Sequence, residues 1–314
     1  AHGGLGYRLG CGGGGVMRPK NIAAFAGAAC LAFAASALGG CGLAGERSQP
    51  YGIATTSMAV CQILDRLEID EVVGIPSAAE DIDLPERYEG VATIGNAMTP
   101  DMEILSNINP ELVLVPRTLE AGLSAQFANA GITAQYIDLS SVEGMYDDID
   151  ALGRQFGREQ QAAAMRAEYE TYVEEHRVTA EQPQTVLVLM AYPGGFYLIV
   201  TADSYVGSLI ELAGGTNVYG KDYVDDGSGV AAVNQEHMIQ TDPDKICVFA
   251  HYDEENAFAY MRNEIATGEL WQSFRAVREG EVYYLSSGDA FGMSANLDWY
   301  TAFDFLTETV FAQA

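Results

Sequence analysis

The sequence predicts an α/β fold of two lobes, each with a parallel sheet, joined by a long connecting helix. In residues 51–140, short apolar runs alternate with segments of helical periodicity, which is the pattern of parallel α/β units. The alternation stops in residues 141–180, where good helix formers dominate. It resumes in residues 181–314, so the chain divides into two lobes and a connector.

The first predicted lobe, residues 51–140, opens with a short strand and a helix start. Thr55, Thr56 and Ser57 are residue types that cap helices, and residues 58–67 then have helical apolar spacing. Two of the later apolar runs end at proline, which disfavours helical backbone in the residue before it. The predicted strands are residues 51–55, 71–76, 110–116 and 134–138, and a second helix is predicted over residues 121–130.

The connector, residues 141–180, has no proline and no strand pattern. A helix over this length exceeds the mean of about 11–12 residues, and it suits a rigid spacer between two lobes. Gly153 and Gly157 weaken the helix locally, so a break is predicted near them.

The second predicted lobe, residues 181–314, repeats the alternation. Gly214 and Gly215 follow a helical segment over residues 204–212 and are a usual helix stop. Further predicted elements are strands over residues 185–190, 245–249 and 281–285 and a closing helix over residues 299–310.

The N-terminal region resembles a bacterial lipoprotein signal. Arg18 and Lys20 precede an uncharged, mostly apolar run over residues 22–35, which is shorter than the ~20 residues that span a bilayer. Leu38-Gly39-Gly40-Cys41 then resembles a lipobox. We therefore expect an upstream remnant at 1–16, a signal peptide at 17–40 and a tether at 41–50. A lipid on Cys41 would hold the chain at the extracytoplasmic face of the cell membrane.

Charge and cysteine content exclude several classes of protein. The formal net charge is −28, and such an acidic surface repels nucleic acid, so no nucleic-acid partner is expected. No Cys-x-x-Cys occurs, which argues against a zinc ribbon. Cys61 and Cys247 lie beyond the expected tether. Two buried free thiols are the favoured interpretation, and a disulfide between them stays open.

A repeated feature identifies a family. In each lobe a helix is followed by a Pro-Glu or Pro-Asp step and a buried strand, at residues 109–115 and 242–249. From Tyr51 onward this arrangement resembles the solute-binding proteins of siderophore, cobalamin and haem ABC importers. Residues 94–103, 202–219 and 249–251 resemble, within that group, the haem-receptor lipoproteins of Gram-positive bacteria.

The resemblance implies a function. It implies a ligand cleft between the lobes and an extracytoplasmic binding lipoprotein that captures haem and delivers it to a membrane permease. Haem is then a transported ligand, not a catalytic cofactor. The expected partners are haem or a related iron tetrapyrrole, the permease, and the membrane through Cys41. The chain is expected to act as a monomer.

The resemblance also implies two ligands to the iron. In that family a methionine of the first lobe and a histidine of the second bind haem iron from opposite faces, and the matching residues are Met98 and His251. Met98 lies between Gly95 and Pro100 in a loop at the end of a strand, and His251 follows the predicted strand over residues 245–249. Ligands bind at the carboxyl ends of strands in open α/β sheets. Thioether and imidazole are both ligands of haem iron.

Other residues are expected around the ligand. Helix N-termini bind anions, so the starts at Thr55, Thr56 and Ser57 and at Ser204 and Tyr205 are expected to hold the propionates. The resemblance implies that Glu103 and Glu236 meet basic residues of the permease. Candidates to cover the porphyrin face are Tyr192, Phe196, Tyr252, Phe291 and Met293.

Three alternative functions are less well supported by the sequence. A siderophore or cobalamin receptor keeps the same class, but the sequence offers few arginines to bind an anionic chelate. A structural lipoprotein fits the anchor and leaves the paired lobes unexplained. The chain is not expected to be an enzyme, because it has no Gly-x-Ser-x-Gly or His-Glu-x-x-His motif.

Overall fold

The computed structural model describes residues 52–77, 85–221, 223 and 228–312. The expected remnant, signal peptide and tether, with the lipidation site Cys41, lie outside the described residues. Within the described ranges, no helix has both the length and the apolar character needed to cross a bilayer.

The first lobe is built on a parallel sheet of five strands. Its strands are β1 (Ile53–Thr55), β2 (Val72–Ile75), β3 (Ala92–Thr93), β4 (Leu112–Pro116) and β5 (Ala134–Ile137). They pair in the order β3-β2-β1-β4-β5, with every pair parallel. Its helices are α1 (Met58–Arg66), α2 (Met102–Ile108) and α3 (Glu120–Ala130). Strands β1 and β4 are buried along their whole length, which explains their continuous apolar runs.

The connector is two helices where one long helix was predicted. They are α4 (Val142–Phe156) and α5 (Glu159–His176). The predicted break falls at Gly157, whose φ of 68° ends α4 in the left-handed region that favours glycine. The helices then pack side by side. A Cβ on Gly153 would lie 2.6 Å from the Cβ of Ala162, so only glycine allows this approach.

Helix α5 makes hydrogen bonds to both lobes. At its start, the Arg158 guanidinium donates to the carbonyl of Glu68 in the first lobe. Near its end, the Tyr172 hydroxyl donates to the Asp304 carboxylate in the second lobe. Its 18 residues span about 27 Å at ~1.5 Å per residue, so α5 is a rigid connection between the lobes.

The second lobe has a mixed sheet, which corrects the prediction of a parallel one. Its strands are β6 (Thr185–Ala191), β7 (Tyr197–Val200), β8 (Thr216–Asn217), β9 (Val230–Ala231), β10 (Lys245–Ala250) and β11 (Val282–Leu285). The order is β11-β10-β6-β7-β9, and β8 also pairs with β6. Strand β7, which was not predicted, runs antiparallel to β6 and β9. Pro193, Gly194 and Gly195 form the tight turn, and both glycines have positive φ.

The helices of the second lobe cover this sheet. They are α6 (Tyr205–Leu212), α7 (Gln235–Thr241), α8 (Glu254–Thr267), α9 (Glu269–Gln272), α10 (Arg275–Glu279) and α11 (Trp299–Phe305), and a π-helical turn at Leu306–Val310 extends the last of them. The predicted closing helix over residues 299–310 therefore forms, with its last turn widened.

The two cysteines beyond the tether are free thiols. Cys61 lies in α1 and Cys247 in β10, and both are buried and unpaired. Burial raises the pKa of each thiol to about 12, which keeps both in the unreactive neutral form. The favoured interpretation is confirmed, and the alternative of a disulfide is excluded.

Candidate ligand-binding site

A cavity of about 1000 Å³ is lined by residues of both lobes. Its walls include residues that follow strands directly: Thr56 after β1, Pro76 after β2 and His251 after β10. The strands of each lobe therefore end at the cavity, as ligand sites of open α/β sheets require. The volume is at the upper end of the ~300–1,000 Å³ typical of small-molecule sites.

The charge of the cavity wall is unusual for a site that is to bind an anion. Among the described residues that line it there is no lysine and no arginine. The acidic residues of this lining are Asp203 and Asp298. Any negative group on a ligand must therefore be held by neutral hydrogen-bond donors.

Met98 lines the cavity from the loop between β3 and α2. The loop is closed by a backbone pairing of Gly95 with Pro100. Inside it, the Asn96 side-chain oxygen accepts from the N–H groups of Met98 and Thr99, at 3.0 and 2.9 Å. This short network holds the backbone so that the Met98 side chain lines the cavity while 66% exposed.

His251 reaches the same cavity from the other lobe. It follows β10 directly, and its backbone N–H donates to the Ala191 carbonyl at 3.2 Å. The ring lies against two aromatic rings, with centroid distances of 5.5 Å to both Tyr192 and Tyr252. The structure therefore brings Met98 and His251 to one cavity from opposite lobes.

The start of α1 presents unsatisfied polar groups to the cavity. Thr56 is only 1% exposed, and its hydroxyl finds no hydrogen-bond partner among the described residues. The backbone N–H groups of Met58 and Ala59 open the helix, where no intrahelical acceptor exists. Thr56, Met58 and Ala59 all line the cavity. A buried hydroxyl without a partner is uncommon and indicates a missing polar group.

The other predicted residues of this start have structural partners. Ser57 caps α1, and its hydroxyl oxygen accepts from the Val60 N–H at 3.5 Å. Thr55 is fully buried and accepts from the Ser57 N–H at 3.1 Å. Ser57 lines the cavity, whereas Thr55 is outside the lining residues and supports the turn from below.

The start of α6 differs from that of α1, because its hydroxyls have hydrogen-bond partners and an acidic residue adjoins them. The Ser204 hydroxyl accepts from the Gly207 N–H at 3.0 Å and donates to the Thr201 carbonyl at 2.9 Å, so it is satisfied. The Tyr205 hydroxyl donates to the Ala290 carbonyl at 3.2 Å. Burial raises the Tyr205 pKa above its usual range, so this hydroxyl remains a donor. Ser204, Tyr205 and the acidic Asp203 all line the cavity.

The predicted porphyrin-face residues separate into three groups. Tyr192 and Met293 line the cavity. Phe196 and Tyr252 are exposed and outside the lining, and both contact Tyr192. Phe291 is 2% exposed and packs edge-on against Phe305, so it belongs to the core.

The sequence analysis missed several polar residues of the cavity, including its two acids and Gln62. Asp203 immediately precedes the predicted cap Ser204, so its position could have been inferred. Gln62 and Asp298 come from different lobes, and the Gln62 amide donates to the Asp298 carboxylate at 3.5 Å. No short-range pattern could pair residues so far apart in the sequence.

Glu103 and Glu236 occupy equivalent places on the two lobes. Each is the second residue of its helix, α2 or α7, and each is exposed. Both helices are capped, by Asp101 and Asn234, and both end at a residue with positive φ. Neither glutamate is among the residues that line the cavity.

Comparison with known families matches residues 53–288 to the family described as periplasmic binding protein. The chain belongs to this family. A curated relative from Staphylococcus aureus (strain bovine RF122 / ET3-1) is the high-affinity heme uptake system protein IsdE. It is 31% identical over 255 residues, which cover 80% of this chain and 84% of the relative.

Two solved structures are similar in sequence and in fold. An ABC transporter substrate-binding protein from Listeria monocytogenes EGD-e is 33% identical, with a TM-score of 0.74 over 83% of this chain and 98% of that one. IsdE of S. aureus, complexed with heme, is 29% identical, with a TM-score of 0.73 over 83% of this chain and 99% of that one.

Proposed function

We propose that this chain is the extracytoplasmic substrate-binding lipoprotein of an ABC importer and that it captures haem in the cavity between its lobes. The observation that supports this most directly is the arrival of a thioether, Met98, and an imidazole, His251, at one cavity from opposite lobes. The family membership and the heme-uptake relative agree with it.

Met98 and His251 would be the axial ligands of the haem iron. Thioether and imidazole are both established ligand types for haem iron. Met98 is 66% exposed and lines the cavity, so its side chain is accessible to a ligand there. Tyr192 and Met293 would add apolar contact with the porphyrin face.

A propionate would bind at the start of α1. The Thr56 hydroxyl and the N–H groups of Met58 and Ala59 are hydrogen-bond donors without partners in the described structure. A helix N-terminus adds a favourable electrostatic contribution for an anion. The start of α6 is less suitable, because its hydroxyl is satisfied and Asp203 places negative charge beside it.

The charge of the cavity wall favours haem over the siderophore alternative. An anionic iron chelate needs cationic side chains, and the described lining has none. Haem would be held mainly through its iron, which the side chains of Met98 and His251 would bind. Its two carboxylates lie at one edge of the ring, where neutral hydrogen-bond donors can bind them.

Transport requires an anchor and a permease. A lipid on Cys41 would tether the chain to the membrane, and residues 41–50 would give it reach. Glu103 and Glu236 would meet basic residues of the permease, one on each lobe, because both are exposed at equivalent helix starts.

The test uses residues 42–314, which include the whole unit from Gln49 onward. The chain should bind haemin at micromolar concentration and give a low-spin spectrum, and Met98→Ala and His251→Ala should each convert it toward high spin. His176→Ala, an exposed histidine outside the lining, is the matched control and should leave the spectrum unchanged. Absence of haemin binding would overturn the assignment of the ligand.

A further inference from the structure

Strand register sets Tyr192 beside His251. Strands β6 and β10 are parallel neighbours, and their register pairs Ala191 with Ala250. The residue that follows β6 is therefore Tyr192, and the residue that follows β10 is His251. The His251 N–H continues the ladder by donating to the Ala191 carbonyl at 3.2 Å. The two side chains are consequently held next to each other by the sheet itself.

The orientation of the His251 ring is set by packing rather than by a hydrogen bond. Its ring nitrogens accept or donate no hydrogen bond within the described part of the chain. The ring instead meets Tyr192 at an interplanar angle of 56° and Tyr252 at 74°, each with a centroid distance of 5.5 Å. A histidine that binds a metal normally donates its second ring N–H to a carboxylate or carbonyl, which fixes the ring.

Tyr192 is the centre of this aromatic group. Its ring contacts Phe196 at 5.3 Å, His251 at 5.5 Å and Tyr252 at 5.9 Å. Its three neighbours are exposed, whereas Tyr192 is half-buried and lines the cavity. The least exposed ring of the group therefore contacts His251 at the cavity wall.

We infer that Tyr192 is a positioning residue that fixes the His251 imidazole for iron ligation by ring contact in place of a hydrogen bond. This inference rests on the proposed haem function. It has a chemical consequence, because a carboxylate behind an imidazole raises its basicity as a ligand. Without one, the iron–histidine bond is weaker, which suits a receptor that must release its cargo to a permease.

The first experiment compares Tyr192→Leu with Tyr192→Phe in the haemin complex. Tyr192→Leu should raise the high-spin fraction and speed haemin loss to excess apo-myoglobin by about 10-fold. Mutating a residue that orients a metal ligand typically lowers metal affinity by about 10- to 100-fold, and the smaller value is expected here. Tyr192→Phe keeps the ring and should stay within about twofold of the parent. Tyr300→Leu makes the same change at an exposed tyrosine outside the lining and should have no effect.

The second experiment separates positioning from direct porphyrin contact. In a His251→Ala background, Tyr192→Leu should add less than about twofold to the rate of haemin loss, because a residue that acts through His251 has nothing left to act on. An equal 10-fold acceleration in both backgrounds would overturn the inference. So would a Tyr192→Phe variant that behaves like Tyr192→Leu, because the hydroxyl would then be responsible.

The outcomes distinguish this inference from the proposed function. If the parent chain binds no haemin, the ligand assignment fails and the inference fails with it. If the parent binds haemin with His251-dependent low-spin spectra and Tyr192→Leu changes neither spectrum nor rate, the inference alone fails. Thermal unfolding of each apo variant shows whether a change in rate comes from lost folding.

Discussion

The starts of α1 and α6 are equivalent positions in the two lobes, and they present opposite chemistry to the same cavity. At α1, a buried hydroxyl and two helix N–H groups lack partners among the described residues, and no acid adjoins them in the sequence. At α6, the hydroxyl is satisfied and Asp203 adjoins it. The pseudo-symmetry of the fold is therefore not a symmetry of function. The first lobe holds donors for a carboxylate, and the second supplies rings and an imidazole.

The largest expected effect comes from removing the unpaired hydroxyl at α1. Thr56→Val should weaken haemin binding by about 10- to 100-fold, since a hydrogen bond to a charged group contributes about 1.5–3 kcal/mol. The same change should raise the free energy of unfolding of the apo chain, because a buried polar atom without a partner costs about 1–3 kcal/mol. Haemin titration measures the change in affinity, and denaturant unfolding measures the change in stability. If Thr56→Val binds haemin like the parent, the α1 start does not hold a propionate.

A smaller effect is expected at α6 from neutralising its acid. Asp203→Asn should tighten haemin binding by about two- to fivefold, because it removes a negative charge from the wall of a cavity that is proposed to bind an anion. The gain in affinity should shrink as the salt concentration rises from about 0.01 to about 1 M, because the Debye screening length falls from about 30 to about 3 Å. Titrations at both salt concentrations measure this, and weaker binding would indicate that Asp203 supports the ligand.

The smallest effect on binding is expected for the cap of α6. Ser204→Ala should leave haemin affinity within about twofold of the parent and lower the free energy of unfolding by ~1 kcal/mol, the usual cost of losing a cap. Thr56→Val should thus weaken binding while Ser204→Ala does not, and the two variants should change stability in opposite directions. Equal effects of the two variants would remove the distinction between the lobes.

Much of this organisation follows from local sequence. The run Thr55-Thr56-Ser57 predicts the start of α1, and Gly157 predicts the break in the connector, because caps and left-handed glycines act over a few residues. The expected iron ligands Met98 and His251 came from family resemblance, and the structure adds that they share a cavity.

The remaining features depend on tertiary pairing. Strand β7 was missed because its antiparallel pairing comes from a Pro-Gly-Gly turn inside an otherwise parallel pattern. Tyr192 lies beside His251 only because of the β6–β10 register. Phe291 was expected at the ligand, but the packing of its loop places it in the core.

The central claim is that one cavity binds haem iron between the lobes and a haem carboxylate at the first lobe. A crystal structure of the haemin complex tests it most directly. We expect the iron between the Met98 sulfur and the His251 imidazole, with a propionate oxygen within hydrogen-bond distance of the Thr56 hydroxyl. Iron bound by other residues, or propionates directed to the α6 start beside Asp203, would contradict the account.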